Sequence, residues 1–304
     1  MKKEKYMEPL IINPIYKKKI WGSNELIQDF YNVNEKEKIG ESWNFAFNNN
    51  DISTFQDFNM NIKHILLNEN ICKEYFGNKI SKNKQIPFLI KTLFVNDRIS
   101  LQVHPNNKFA KKYENSLGKN EVWYVLYADD NSYAHIGFKW NIGKERVKKL
   151  LEENKIMNYL KKIKVKTGDI IRIPAGTVHA ISGKVILYEV QQNSNITYRL
   201  LDWYGRELDI DKALKVLKYK NATVKNKRSG RLIKTKNFVL DRINISGEKE
   251  IRSKGKIEVI TAIEGEGTLI SNKNIKLHKG MTILIPADLK RYTILGNISI
   301  LITH

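Results

Sequence analysis

The stretch Gly168-Asp-Ile-Ile-Arg-Ile-Pro174-Ala175 recurs as Gly280-Met-Thr-Ile-Leu-Ile-Pro286-Ala287, with glycine six residues before proline in both copies. Alternating apolar residues between the two mark a strand with one buried face, and proline stops the strand because it cannot donate to the ladder. A further strand follows each copy, at Lys184–Gln191 and Asn297–Thr303, and upstream a Glu-Val pair opens a hydrophobic strand, Glu121-Val122 and Glu258-Val259. Repetition on this scale predicts two β-rich modules of similar plan.

The remaining pattern agrees. Strands are predicted at Ile99–His104, Glu121–Tyr127, Asp169–Ile173, Val185–Gln191, Phe238–Ile245, Lys256–Ile263, Met281–Ile285 and Ile298–Thr303, separated by turn residues as in an antiparallel sandwich or barrel. Helical periodicity is confined to 143–162, where Val147, Leu150, Leu151, Ile156 and Leu160 recur near a 3.6-residue period, with weaker candidates at 61–76 and 208–218. A chain of 304 residues with 41% hydrophobic content is large enough for two modules and rich enough in apolar residues to bury a core.

Cys72 is the only cysteine, which excludes an internal disulfide and suits a reducing compartment. The basic N-terminus, interrupted by Pro9 and Pro14, lacks the apolar core of a signal peptide, and no run is long enough to span a bilayer. The expectation is a cytoplasmic protein with no membrane partner. The net charge of +21 comes from lysines spread from Lys2 to Lys290 without a dense block. That distribution argues against nucleic acid as the partner, while the same field would steer a small anion.

Chemistry concentrates in the first module. Ser100, Gln102 and His104 share one face of a strand that Pro105 ends, and Lys119 and Glu121 share another face. His179 follows the Pro174-Ala175-Gly176 turn among apolar neighbours. Each taken singly has an ordinary reading: a solvated face, a cross-strand ion pair, a satisfied core histidine. Together, two imidazoles, a carboxylate and an amide oxygen make a nitrogen/oxygen ligand set suited to Zn²⁺, although Fe²⁺ or Mn²⁺ accepts the same atoms. Arg199, in the polar and aromatic stretch Glu189–Trp203, either returns to that cavity to hold a phosphate or stabilise developing negative charge, or forms a surface pair with Asp202.

The order Ser-x-Gln-x-His-Pro, Gly-Lys-x-Glu-x-Trp-Tyr, Ile-Pro-Ala-Gly-x-Val-His-Ala and Gln-Gln-Asn-Ser-x-x-Thr-Tyr-Arg-Leu-x-Asp resembles the short bacterial, cupin-type (type I) mannose-6-phosphate isomerases. Pro9-Leu10 through Ile20-Trp21-Gly22 and the motif Gly40-Glu41-Ser42-Trp43 extend the likeness. The resemblance implies a mainly β fold of two cupin-like barrel or jelly-roll modules, the first with a helical insertion. It implies a metal-binding catalytic unit at 1–229 and a metal-free unit at 230–304, the latter having Arg291 where the former has His179. It further implies one Zn²⁺ per chain on Gln102, His104, Glu121 and His179, with Arg199 and Lys119 catalytic and Ser100, Lys119 and Arg199 contacting a sugar-phosphate substrate in a monomer or homodimer. The activity implied is interconversion of mannose 6-phosphate and fructose 6-phosphate through a cis-enediol. A non-catalytic sugar-binding cupin and another metal-dependent sugar-phosphate isomerase are the competing readings. The general base stays open among a glutamate, a zinc-held water and Lys119. The chain departs from the family pattern at Ser23, at Asn44-Phe45-Ala46-Phe47 and at the extra Tyr204.

Overall fold

The computed structural model describes residues 7–33, 35–48, 51–220, 226–227 and 231–304. It is mainly β, built on three antiparallel sheets. A central seven-stranded sheet runs in the order Asn226–Lys227, Ile170–Ile173, Glu121–Ala128, Val185–Gln192, Phe88–Val95, Ile39–Phe45, Ile15–Lys18. A five-stranded sheet carries Leu160–Lys164, Tyr133–Phe138, His179–Ser182, Leu101–Val103 and Tyr198–Leu201. The C-terminal sheet is built on the long strands Val239–Arg252, Glu258–Ile270 and Arg291–Thr303, and it recruits Leu10–Ile11 from the other end of the chain against Thr282–Ile285.

The central sheet is covered on both faces. Val122, Tyr124, Tyr188, Val190, Phe88 and Ile90 pack with Leu240, Val259, Leu284 and Leu301 of the C-terminal sheet. The alternate residues Trp123, Val125, Leu187, Leu93 and Val95 pack with Ile136 and Ile181 of the five-stranded sheet. Double coverage explains why Phe88–Val95 and Val185–Gln192 are buried at every position and why their sequences are apolar runs rather than alternating ones. Polar residues in those runs, Lys91 and Glu189 above all, therefore demand a reason.

The repeat is visible in the register. Glu121 pairs with Ile173 and Val122 with Arg172, just as Glu258 pairs with Ile285 and Val259 with Leu284. Each Glu-Val strand also pairs with the strand that follows its repeat copy. All eight predicted strands are present, although Val239–Arg252, Glu258–Ile270 and Arg291–Thr303 run well beyond what the apolar pattern indicates.

The predicted helix at 143–162 is shorter: Lys144–Glu152, then a 3₁₀ turn at Ile156–Tyr159 and a strand from Leu160. Asn154 sits in the left-handed region at φ 55°, which breaks the helix, while Ile156 and Leu160 stay buried and preserve the apolar spacing. The 61–76 candidate is two helices, Ile62–Leu67 and Glu69–Phe76, with Asn68 capping the second. The 208–218 candidate is a helix at Ile210–Val216. No helix among the described residues is long and apolar enough to cross a membrane.

Candidate metal and substrate site

The site lies between the central and five-stranded sheets. Glu121 opens a central-sheet strand, and Gln102 and His179 face each other in register across the five-stranded sheet. His104 follows one residue after the Leu101–Val103 strand, and its carbonyl accepts from the Gly176 amide at 2.8 Å. This bond ties the two histidine-bearing segments together. Gly176 needs its missing side chain: its φ is +84°, and a Cβ would stand 2.8 Å from the Val216 carbonyl oxygen.

Ligand atoms of His104, Glu121 and His179 all lie within 4.8 Å of one another, and the three residues are buried. His104 Nε2 is 3.3 Å from Glu121 Oε2, and His179 Nε2 is 3.1 Å from Oε1. Both imidazoles give Nδ1–H to a backbone carbonyl, His104 to Ile196 at 2.8 Å and His179 to Thr177 at 2.9 Å. A carbonyl can only accept, so each Nδ1 carries a hydrogen and each Nε2 is the nitrogen that faces the carboxylate. Burial, aided by the Lys119 charge, pushes the His104 imidazole down to about 3, so that ring is neutral at pH 7. His104 Nε2 and Glu121 Oε1 are buried without a hydrogen-bond partner among the described residues, and Glu121 Oε2 has the Lys119 ammonium beside it. Lone pairs confronting a buried carboxylate are costly unless a cation sits among them, and two imidazoles with a carboxylate suit a divalent metal with positions left open.

Gln102 touches this group, its Nε2 standing 3.3 Å from His179 Nε2, while Ser100 Oγ donates to its Oε1 at 3.3 Å. Turning the amide over would present its oxygen to the cluster and its NH₂ to Ser100. Ser100 is thus a buried support for Gln102 and does not itself line the cavity. Lys119 Nζ pairs with Glu121 Oε2 at 3.1 Å. Burial opposes ionisation of Glu121, but the Lys119 charge holds its carboxyl well below the usual range. Burial likewise disfavours the Lys119 ammonium, yet Glu121 and Glu189 hold it above its ordinary value.

A cavity of about 320 Å³ adjoins the group. Gln102, Lys119 and Arg199 line it, together with Lys19, Lys91, Arg206, Glu41 and Glu189 and the indoles of Trp21 and Trp43. Five cationic side chains against two carboxylates give it a cationic bias. Arg199 stands opposite Gln102 in register, and its Nε is buried without a partner among the described residues. The Arg199–Asp202 pair is not formed: Asp202 instead accepts from the Arg206 Nε and Nη2 at 2.9 and 2.6 Å. A larger groove of about 1240 Å³ shares only Asn195 with this cavity and holds none of these groups.

Motif spacing does not single out Glu41, Lys91 or Glu189, although a lone charge inside an apolar strand is the signal that marks Lys91 and Glu189. Burial lowers the Lys91 ammonium despite Glu41 beside it, and burial together with the Glu121 charge raises the Glu189 carboxyl. Burial would raise Glu41 too, but Lys91 and Lys19 bring it down to about 2. Trp123 Nε1 donates to Glu189 Oε2 at 2.9 Å and fixes its orientation.

Known proteins share this arrangement of chain. The family of the phosphomannose isomerase type I catalytic domain matches residues 10–141, and the cupin domain of mannose-6-phosphate isomerase matches residues 229–304. Mannose-6-phosphate isomerase of Streptococcus mutans is 31% identical over 98% of both chains. The chain belongs to the type I phosphomannose isomerases. Another family member, mannose-6-phosphate isomerase ManA of Bacillus subtilis, is 32% identical over 98% of this chain and 99% of its own. The crystal structure of the B. subtilis mannose 6-phosphate isomerase superposes with a TM-score of 0.87 at 26% identity, covering 98% of this chain and all of that one. A phosphomannose isomerase fold also links the chain to a protein of Archaeoglobus fulgidus described as a putative mannosephosphate isomerase, with a TM-score of 0.86 at 22% identity over 99% of each.

Proposed function

We propose that this chain interconverts mannose 6-phosphate and fructose 6-phosphate through a cis-enediol, with one Zn²⁺ held by His104, Glu121 and His179 and completed by Gln102. The observation that carries the reading is the buried convergence of His104, Glu121 and His179 ligand atoms beside a cavity of cationic bias. Membership of the family supplies the reaction. When bound, zinc would act as a Lewis acid and orienting centre for sugar oxygens. The competing reading, a sugar-binding cupin without chemistry, accounts neither for the unpartnered Arg199 Nε nor for titratable groups shifted inside the cavity.

The chain's own residues divide the remaining work. Isomerisation moves the C2 proton of the aldose to C1 and shifts one proton between O1 and O2. A base for that transfer works best with a pKa near the working pH. Lys119, raised by its two carboxylate neighbours, stays charged and serves as a donor to the developing enediolate. Lys91 and Glu189 are displaced toward neutrality from opposite sides, and their Nζ and Oε1 are 3.9 Å apart. We assign the base to this pair. Replacing Glu189 by glutamine should lower kcat by about 10²- to 10⁴-fold with zinc retained. Unchanged kcat would remove Glu189 from the chemistry. A coupled assay on mannose 6-phosphate with glucose 6-phosphate as control, run alongside metal analysis, tests the reading as a whole.

Residues 1–229 would form the catalytic unit and 230–304 a metal-free one, in a monomer or homodimer. Glu258, the counterpart of Glu121, is buried, but its Oε1 accepts the Tyr292 hydroxyl at 2.6 Å where a metal would otherwise be needed. Arg291, at the position of His179, is exposed and pairs with Glu250 at 3.6 Å. Glu258→Gln and Arg291→Ala should therefore leave zinc content and kcat within about twofold. Deleting 230–304 should give insoluble protein, because it bares the apolar rear face of the central sheet. A soluble, fully active 1–229 fragment would refute that role.

A further inference from the structure

We infer that Thr282 in the C-terminal sheet, acting through Asn44, sets the aim of the Glu41–Trp43 wall of the cavity. This rests on the proposed reading of the cavity as the substrate site. The strand Ile39–Phe45 pairs with Phe88–Val95 as Glu41↔Leu93, Ser42↔Thr92 and Trp43↔Lys91, and then as Phe45↔Ile90. Asn44 is the extra residue of a β-bulge. Bulges redirect the side chains around them and recur beside active sites. Here the residue before the bulge, Trp43, carries its indole into the cavity wall and donates Nε1–H to Glu41 Oε2 at 2.7 Å. Lys91 Nζ stands 3.7 Å from that same oxygen and 4.7 Å from the Trp43 ring centroid. A small rotation at the bulge would thus move an aromatic wall, a carboxylate and its lysine partner together.

Asn44 points to the opposite face, where its amide is held at three points. Its Nδ2 donates to Tyr31 Oη at 2.7 Å and to Thr282 Oγ1 at 3.2 Å, while its Oδ1 accepts from Thr92 Oγ1 at 3.0 Å. Both donor hydrogens are engaged, so the bulge cannot relax without stranding a buried polar atom. Thr282 is itself fixed: its Oγ1 lies 3.1 Å from Thr261 Oγ1, which lies 3.1 Å from Tyr188 Oη. Asn44, Thr92, Thr261 and Thr282 are all buried. Such a polar chain through an otherwise apolar interface adds specificity of position to the packing of two sheets. It also gives the family departure at Asn44 a physical role. Thr282 is accordingly a positioning residue, remote from the reacting atoms.

The test uses full-length, zinc-loaded protein carrying 5-fluorotryptophan, with the Trp43 ¹⁹F resonance assigned by Trp43→Phe. Thr282→Val keeps the side-chain shape and removes the hydroxyl; Thr282→Ser restores it. Thr282→Val should raise KM by about fivefold to tenfold, a fraction of the effect of losing a buried hydrogen bond outright. It should shift the Trp43 resonance and leave zinc content unchanged, and Thr282→Ser should bring both KM and resonance back. An unmoved Trp43 signal with unchanged KM in Thr282→Val overturns the inference. So does equal loss in the valine and serine variants that follows the folded fraction alone. If Thr282→Val does not fold, Thr261→Val, one bond further along the chain, carries the same readouts. Absence of isomerase turnover in the unsubstituted protein would sink the functional reading instead, and the Trp43 resonance would still decide the coupling.

Discussion

Replacing His179 by alanine should strip the metal from the protein and abolish turnover, with His104→Ala doing the same. Protein purified without chelator is expected to hold about one zinc per chain, since a site of three or four ligands binds one ion. Each histidine is one of three charged or imidazole ligands, and each is already committed: its Nδ1–H goes to a backbone carbonyl and its Nε2 faces Glu121, with the Gln102 amide also beside that of His179. Removing either leaves a carboxylate, one imidazole and an amide, too few strong donors to compete with solvent and buffer for zinc. Activity should fall to background, and a chelator should do to the intact protein what the substitutions do. Stability should follow occupancy as well, because zinc that binds only the folded chain at 1,000 times its Kd adds about 4 kcal/mol. Elemental analysis of the three proteins, with melting curves in chelator and in excess zinc, checks both expectations. Full zinc occupancy in either alanine variant would end the assignment of this trio as the metal site.

Much of that site is legible in the sequence, because strand alternation constrains where polar residues can point. The pairs Gln102/His104 and Lys119/Glu121 each sit two residues apart, and a period of two puts both members on one face. His179 is marked by the Pro174-Ala175-Gly176 turn that it follows. The structure brings those residues together as the spacing suggests, and the Glu-Val register shows the internal repeat to be one of pairing as well as of composition. Other residues around the cavity escape such a reading for a physical reason. Lys91 and Glu189 are single charges in strands buried on both faces, where no alternation survives to say which way a side chain points. Asn44 is set by a bulge, and a bulge is a property of two strands that one strand's sequence does not encode. Helix ends fail similarly: the apolar period past Glu152 persists because a 3₁₀ turn and a strand happen to bury Ile156 and Leu160.

Arg199→Ala should cut kcat by about 10²- to 10³-fold while zinc stays bound, the loss typical of one charge-stabilising donor at a developing anion and equivalent to roughly 2.7–4 kcal/mol. The fold should persist, because what Arg199 gives the structure is backbone. Its N–H donates to Asp209 Oδ2 at 3.3 Å, and its carbonyl accepts from the Asp209 amide at 2.8 Å. Alanine keeps both bonds. The alternative anchor for its guanidinium is absent, since Asp202 is held by Arg206 and by the backbone amides of Tyr204 and Arg206. A buried guanidinium Nε with no partner among the described residues costs free energy, a cost that binding and the charged enediolate would relieve. Lysine at this position should recover little, because an ammonium supplies the charge without the planar fork that grips two oxygens at once. The split between constants decides the role. A fall in kcat with KM nearly constant places Arg199 on the enediolate. A rise in KM alone would place it on the phosphate and leave Lys119, charged and 3.1 Å from Glu121, as the donor to the transition state.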